Sequence, residues 1–392
     1  METPYFVIHQ AELDNAVASL KNAISDFWPN CRVGYSVKTN SIPWLLRYMR
    51  AQGFYAEVVS DDEYEMAKLC GYTSSSIIYN GIAKTRSTFL DAIECGALVH
   101  LDSWRELQWL KELTPGRGYE VGLRVNFDLE SMCPGETACG AEGGRFGFCY
   151  ENGELERAMN VLKSIPNVSL ASLHLHCSTK TRSLNIYRAI GETACKIAEI
   201  YQLKLKYVDV GGGFFGGMPD KPQFSDYLSA IRESLSAYFQ PDETTLIIEP
   251  GISLIGSPVS YVTTVVDVKE TTYNRFIISD GSRIHIDPLM HKSNYLYTID
   301  RKSTPDTDMV KKQVICGYTC METDRIMEVQ NVPPLQCGDQ ICYQKAGAYT
   351  MNLASQFIRF FPAVYLEREN TLDEIQRKWS VEDVAREQLS RI

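Results

Sequence analysis

Long apolar runs, closely paired cysteines and positive charge are what this 392-residue chain has least of. No stretch approaches the about 18 uninterrupted apolar residues of a membrane span, and the opening METPYFVIHQAELD has neither a basic nor an apolar leader segment. A cytoplasmic protein with no membrane partner is therefore expected. Twelve cysteines are scattered from Cys31 to Cys342 without one C-x-x-C pair. That pattern speaks against a metal site and for reduced thiols, mostly in the core. With 39 Lys and Arg against 49 Asp and Glu the net charge is −10, which leaves no basic stripe to displace the counterions of a nucleic acid. A small molecule is the expected partner.

The length exceeds the roughly 250–300 residues at which one core stops growing, so a large domain with a smaller one is expected. Short runs rich in Val, Ile, Leu and Tyr recur: RVGYSV (32–37), YAEVV (55–59), SIIYN (76–80), ALVHL (97–101), YEVGLRVN (119–126), SLASLHLH (169–176), LKYVDV (205–210) and TLIIE (245–249). Between them lie stretches such as SIPWLLRYMRAQG and SDDEYEMAKLCG, with apolar residues at helical spacing. Eight strands alternating with helices predict an α/β fold, a TIM (β/α)8 barrel over residues 10–255. Beyond it, YVTTVVDVKE, RFIISDG, KKQVICGY and DQICYQKAGAY alternate as antiparallel strands do. They predict a β-rich domain over 256–392, which YFVIH from residues 1–9 is expected to join; SVEDVAREQLSRI reads as a closing helix.

In such a barrel the site lies at the C-terminal strand ends, which here carry Lys38, Ser60, Asn80, Asp102, Arg124, His176, the glycines from Gly211, and Glu249. A lone lysine after a strand is ordinarily a solvated end, and a lone histidine ordinarily a core residue. Eight ends meeting at one mouth are harder to read that way. DVGGGFFGG (209–217) lets backbone N–H groups approach an anion, although its glycines lack the spacing of a dinucleotide fingerprint. A lysine at one strand end and a phosphate cradle at another suggest pyridoxal 5'-phosphate held through a Schiff base.

The chain resembles the fold-type III pyridoxal-phosphate decarboxylases, the diaminopimelate and ornithine decarboxylases, whose barrel is alanine racemase-like. The resemblance rests on YSVKTN, LRVN, RFGF (145–148), HLHCST, VDVGGGF, EPG (249–251), CGYTCMETD and KAGAYT, in order over nearly the whole chain. It implies that Lys38 holds the cofactor, that His176 stacks on its ring, and that Gly212, Gly213 and Thr179 bind its phosphate. Arg124 and Gly251 belong to the same cofactor-binding set. Glu249 would bond the ring nitrogen, Tyr349 would close over the phosphate, and Cys320 would reach in from a second subunit of a homodimer with shared sites. Lys38, His176 and Cys320 are then the catalytic residues. A carboxylate at the ring nitrogen keeps the ring protonated as an electron sink, which suits loss of CO₂. Related racemases carry an arginine there.

Three departures bear on the amino-acid substrate. Ile252 stands where relatives have the arginine of E-P-G-R, and an alkyl group cannot supply a guanidinium's paired contacts; Arg145 and Arg283 are the candidates to replace it. Met321 follows Cys320 where relatives place an acid for a distal amine, with Glu322 and Asp287 left as possible substitutes. DGSRIHIDPLMHKSNY (280–295) replaces the R-P-x-x-Y-like clamp. These changes lead to a decarboxylase of a modified or conjugated amino acid, in siderophore or other specialised metabolism. The alternatives are a diaminopimelate decarboxylase of lysine biosynthesis, an ornithine or lysine decarboxylase, and a non-catalytic regulator. The last is expected to lack Lys38, Cys320 or Tyr349, and all are present.

Overall fold

Eight runs of β-branched and aromatic residues form the parallel strands of a closed barrel: β1 (Cys31–Ser36), β2 (Tyr55–Val58), β3 (Ile77–Tyr79), β4 (Leu98–Leu101), β5 (Tyr119–Asn126), β6 (Val168–His174), β7 (Tyr207–Asp209) and β8 (Thr245–Ile248). Each pairs with the next, and β8 closes on β1 with Leu246 opposite Cys31. All eight coincide with the runs read from the sequence. The computed structural model describes residues 1–302, 308–369 and 371–389. It divides into two units, residues 16–253 and residues 1–15 with 254–392.

Inside the barrel, character changes with depth. Ile78, Leu98, Ala171, Tyr207 and Ile247 form a buried apolar cluster, with Tyr55 packed against it. Two residues further along the same strands stand Asn80, His100, Asp209, Glu249 and Glu57, all buried. Side chains two apart share a face of a strand, so one step of about 6.6 Å carries the interior from apolar to polar. The apolar layer supplies burial, and the polar layer collects toward the C-terminal ends. Gly122 makes the second layer possible: a Cβ there would stand 2.1 Å from His100 Cδ2 and 3.0 Å from Ser172 Cβ.

The intervening helices begin where local chemistry ends a loop. Ser60 accepts a hydrogen bond from Glu63 N as cap of the helix Asp61–Leu69, while Glu63 Oε2 reaches back to Val59 N at 2.8 Å. Thr85 caps Arg86–Glu94 in the same way. Ser60 is therefore a helix cap, although its strand-end position suggested a member of the mouth.

The second unit is built on a sheet in the order Arg325–Val329, Gln313–Cys316, Arg275–Ser279, Val259–Glu270, Tyr5–His9, Ala363–Arg368, Thr371–Gln376. Gln340–Tyr343 pairs with both Val259–Glu270 and Tyr297–Asp300. Two of these pairings are parallel, Tyr5–His9 with Ala363–Arg368 and Arg275–Ser279 with Gln313–Cys316, where alternation had suggested antiparallel strands throughout. Alternation encodes which face is buried and is blind to strand direction. The helix Val381–Leu389 ends the described chain. Among the described residues no helix is long and apolar enough to cross a membrane.

Gly122→Ala is expected to destabilise the protein by about 2–4 kcal/mol, because the new methyl collides with a fixed imidazole. Urea denaturation checks this as a lower midpoint at unchanged slope.

Candidate active site

Lys38 follows β1 on a short 3₁₀ turn, Val37–Thr39, and keeps 37% of its side chain exposed. Its Nζ donates to Glu57 Oε2 and to Ser36 Oγ, each at 2.8 Å, and Ser36 Oγ donates to the same Glu57 oxygen at 2.7 Å. Glu57 is almost wholly buried. The Asn80 amide nitrogen donates to Glu57 Oε1 at 3.0 Å and to Glu249 Oε1 at 2.6 Å, so one side chain joins two acids. Two carboxylates can only accept, which fixes the Asn80 amide orientation and leaves its Oδ1 to accept from His100 Nδ1 at 2.7 Å. His100 Nε2 is then free to accept from Ser172 Oγ at 2.8 Å. That tautomer is neutral, in keeping with the burial that holds His100 far below the ordinary histidine range.

Asp209 completes the layer. Burial and the neighbouring Glu249 carboxylate hold its carboxyl far above the usual range, so Asp209 keeps its proton while Oδ1 accepts from Gly211 N at 2.8 Å. His174 lies 3.5 Å from Glu249 and stacks its ring 6.3 Å from that of His176. His176 keeps part of its surface open, yet the protein crowding it removes enough water to push its pKa to about 3, with Glu249 opposing and Arg124 reinforcing the shift. Arg124 lies 3.6 Å from Asp102, donates to His176 O at 3.4 Å, and packs its guanidinium 4.5 Å from the Phe146 ring. Beneath them Lys84 and Glu106, both fully buried, pair at 3.3 Å and tie the loops after β3 and β4 together.

The glycine run passes where no side chain fits. A Cβ on Gly211 would lie 2.4 Å from His176 Nδ1, and one on Gly212 would lie 1.9 Å from Glu249 O. Gly213 adopts φ +93°, a backbone that favours glycine. Among the described residues the N–H groups of Gly212 and Gly213 have no acceptor. A Cβ on Gly251 would strike Thr39 Oγ1 at 2.1 Å, so Gly251 holds the loop after β8 against the Lys38 turn. Thr179 stands half-buried, bridged to Thr137. An amine, a carboxylate and open amides on neighbouring strand ends form a donor set that fits a phosphorylated pyridine aldehyde.

Residues 254–392 hold the remaining expected positions. Tyr349 is exposed, with φ +55°. Cys320 is exposed on a loop anchored by Asp324, whose carboxylate accepts from Ser282 Oγ, Arg283 N, Thr319 N and Thr319 Oγ1 at 2.7–3.1 Å. Asp287 is buried and occupied: it accepts from Arg283 Nε at 3.0 Å, His291 N at 3.1 Å and Lys292 N at 2.8 Å. Arg283 is thereby engaged too. Glu322 stands 93% exposed opposite Arg325, and Met321 is half-buried.

The sequence profile described as pyridoxal-dependent decarboxylase, pyridoxal binding domain, matches residues 11–256. The chain belongs to this family. Its cofactor is pyridoxal 5'-phosphate, and it is a carboxy-lyase of the amino-acid decarboxylase type. A diaminopimelate decarboxylase of Archaeoglobus fulgidus is 27% identical over 91% of this chain and 85% of its own. The L-glutamyl-[BtrI acyl-carrier protein] decarboxylase of Niallia circulans is 26% identical over 99% of this chain and 94% of its own. In fold, a diaminopimelate decarboxylase from Helicobacter pylori, solved with L-lysine, matches at a TM-score of 0.85, 21% identity and coverage of 100% and 98% of the two chains. The Paramecium bursaria Chlorella virus arginine decarboxylase matches at 0.78, also at 21% identity, over 94% and 96%.

His285 gives this decarboxylase a titration to follow. Burial lowers it to about 4, with Asp324 opposing and Arg359 reinforcing, while Nδ1 meets Tyr261 Oη at 2.6 Å. The unfolded chain takes up a proton near pH 6.5 and the folded chain only near 4, so this stability is present above about 6.5 and lost as pH falls through that window. His285→Phe is expected to flatten unfolding free energy against pH between about 6.5 and 4, as checked by chemical denaturation across that range.

Proposed function

We propose that this enzyme decarboxylates an amino acid whose distal end is modified or conjugated, with no free ammonium there to be paired. One observation carries the reading. Of the positions that could hold a distal amine, Met321 is a thioether, the Asp287 carboxylate is committed to Arg283 and two backbone amides, and Glu322 is turned to solvent opposite Arg325. A relative named for an L-glutamyl unit on an acyl-carrier protein supports the idea that a tethered amino acid suits this family.

Bound pyridoxal phosphate supplies an electron sink for the pair left on Cα when CO₂ departs. Lys38 is the residue that holds it, with Glu57 and Ser36 fixing the amine. His176, neutral, would pack against the bound ring, and Arg124 steadies the His176 backbone. Gly212, Gly213, Thr179 and Tyr349 hold the phosphate. Glu249, oriented by Asn80, keeps a proton on the ring nitrogen, which favours decarboxylation over racemisation. Cys320, offered by a second subunit, returns a proton to Cα. The working form is accordingly a cytoplasmic homodimer with shared sites.

Product mass and CO₂ release decide the substrate when the loaded enzyme is offered meso-diaminopimelate, ornithine, lysine, arginine and carboxyacyl conjugates of diamino acids. Turnover of a conjugate alone is expected; turnover of diaminopimelate would establish the second reading, a lysine-biosynthetic enzyme with relocated contacts. Lys38→Ala is expected to abolish both activity and the absorbance of the covalently held cofactor. A borohydride-reducible cofactor surviving in that variant would overturn the role of Lys38.

A further inference from the structure

A second cavity opens at the opposite end of the barrel, among the strand starts. It measures about 610 Å³ and has Arg32 at its centre, between the first residues of β2 and β7. The Arg32 guanidinium lies over two rings at once, 4.9 Å from the Tyr55 centroid and 4.6 Å from that of Tyr207. Contact with two aromatic rings holds the cation without using any of its N–H donors. Among the described residues those donors have neither a carboxylate partner nor a hydrogen bond to an acceptor.

The surrounding groups are of one kind. Arg117 lines the same cavity and spends one nitrogen on Glu94 O at 2.7 Å, keeping further N–H groups free to donate. Asn167 and Ser75, both polar, also line the cavity. The acid present, Glu120, is paired with Lys206 at 2.8 Å. The floor is the apolar cluster of Leu98, Tyr207 and their neighbours, which closes the cavity off from the polar layer above. Along β1, four residues, about 13 Å of strand, separate Arg32 from Ser36.

A residue needed only to plug the barrel floor would gain nothing from an unaccompanied charge. A cation held by two rings, with its donors unspent beside a cavity, suits an oxyanion that can accept two N–H bonds at once. We propose that this cavity binds a small oxyanion-bearing molecule, a carboxylate or a phosphate, through the Arg32 fork with Arg117 as the second cation. The site is separate from the Lys38 mouth and holds whatever becomes of the substrate assignment.

The test uses the cofactor-loaded enzyme, so that the glycine cradle at the other mouth is filled. Inorganic phosphate and succinate are titrated calorimetrically at constant ionic strength, with chloride as the blank. Saturable binding of at least one probe is expected, and which one binds separates a phosphate site from a carboxylate site. Arg32→Gln is expected to weaken it about tenfold or more, and Arg117→Gln a few-fold, with the cofactor absorbance unchanged. If Arg32→Gln does not fold, Arg32→Lys, which keeps the charge and loses the fork, carries the comparison with Arg117→Gln. Absence of saturable binding of both probes below about 20 mM, or affinity indifferent to these substitutions, would overturn the proposal.

Discussion

A buried carboxylate must be paired, bonded or protonated, and the upper layer of this barrel contains three. Glu57, Asp209 and Glu249 stand on neighbouring inward positions with almost no exposure. An isolated buried charge costs several kcal/mol, so each has its own remedy. Glu57 has the Lys38 ammonium, Asp209 has a proton, and Glu249 shares the Asn80 amide with Glu57. The amide is the hinge of the arrangement, because it fixes the distance between the acid beside the lysine and the acid that follows β8. His100 and Ser172 then fix the amide, and Gly122 makes room for His100.

This explains why the fold and the chemistry are hard to separate here. The polar layer needs a rigid circle of strands to keep several charges within hydrogen-bonding distance of one another. The circle needs an apolar layer beneath, since the polar layer adds little net stability of its own. The other unit repeats the logic on a smaller scale. Asp324 gathers four donors and so fixes the loop bearing Cys320, while Arg283 and Asp287 satisfy each other.

What could be read beforehand follows the same physics. All eight barrel strands were legible, because parallel strands buried on both faces read as apolar runs. Lys38, His176, Glu249 and the glycines were legible because they sit at strand ends or in a run with few other uses. Glu57, His100 and Asp209 are hidden within YAEVV, ALVHL and LKYVDV: each is a polar residue in a largely apolar run, and only strand register shows which face it takes. Ser60 stands at its strand end as read and also caps the next helix, a role marked by Glu63 three residues on. Strand direction in the second unit was beyond the sequence, because Tyr5–His9 and Ala363–Arg368 come from opposite ends of the chain and no short turn orients them.

The chemistry and the departures from the family pattern also fall apart in the chain. Lys38, Glu57, Asn80, His176, Asp209 and Glu249 all lie within residues 16–253, and the hydrogen bonds joining Lys38, Glu57, Asn80 and Glu249 run from one strand of the barrel to another. Met321, Glu322 and Asp287 lie in residues 254–392, on a loop and a helix end whose anchors are Asp324 and Arg283. A substitution at Met321 therefore leaves every hydrogen bond of the barrel layer in place. One or two substrate contacts are enough to shift preference among substrates while the bond-breaking machinery stays fixed. Ile252 stands on the barrel side of that division, next to Gly251 and three residues after Glu249. An alkyl side chain there can neither donate a hydrogen bond nor carry charge, and this departure sits within the barrel unit rather than in the other.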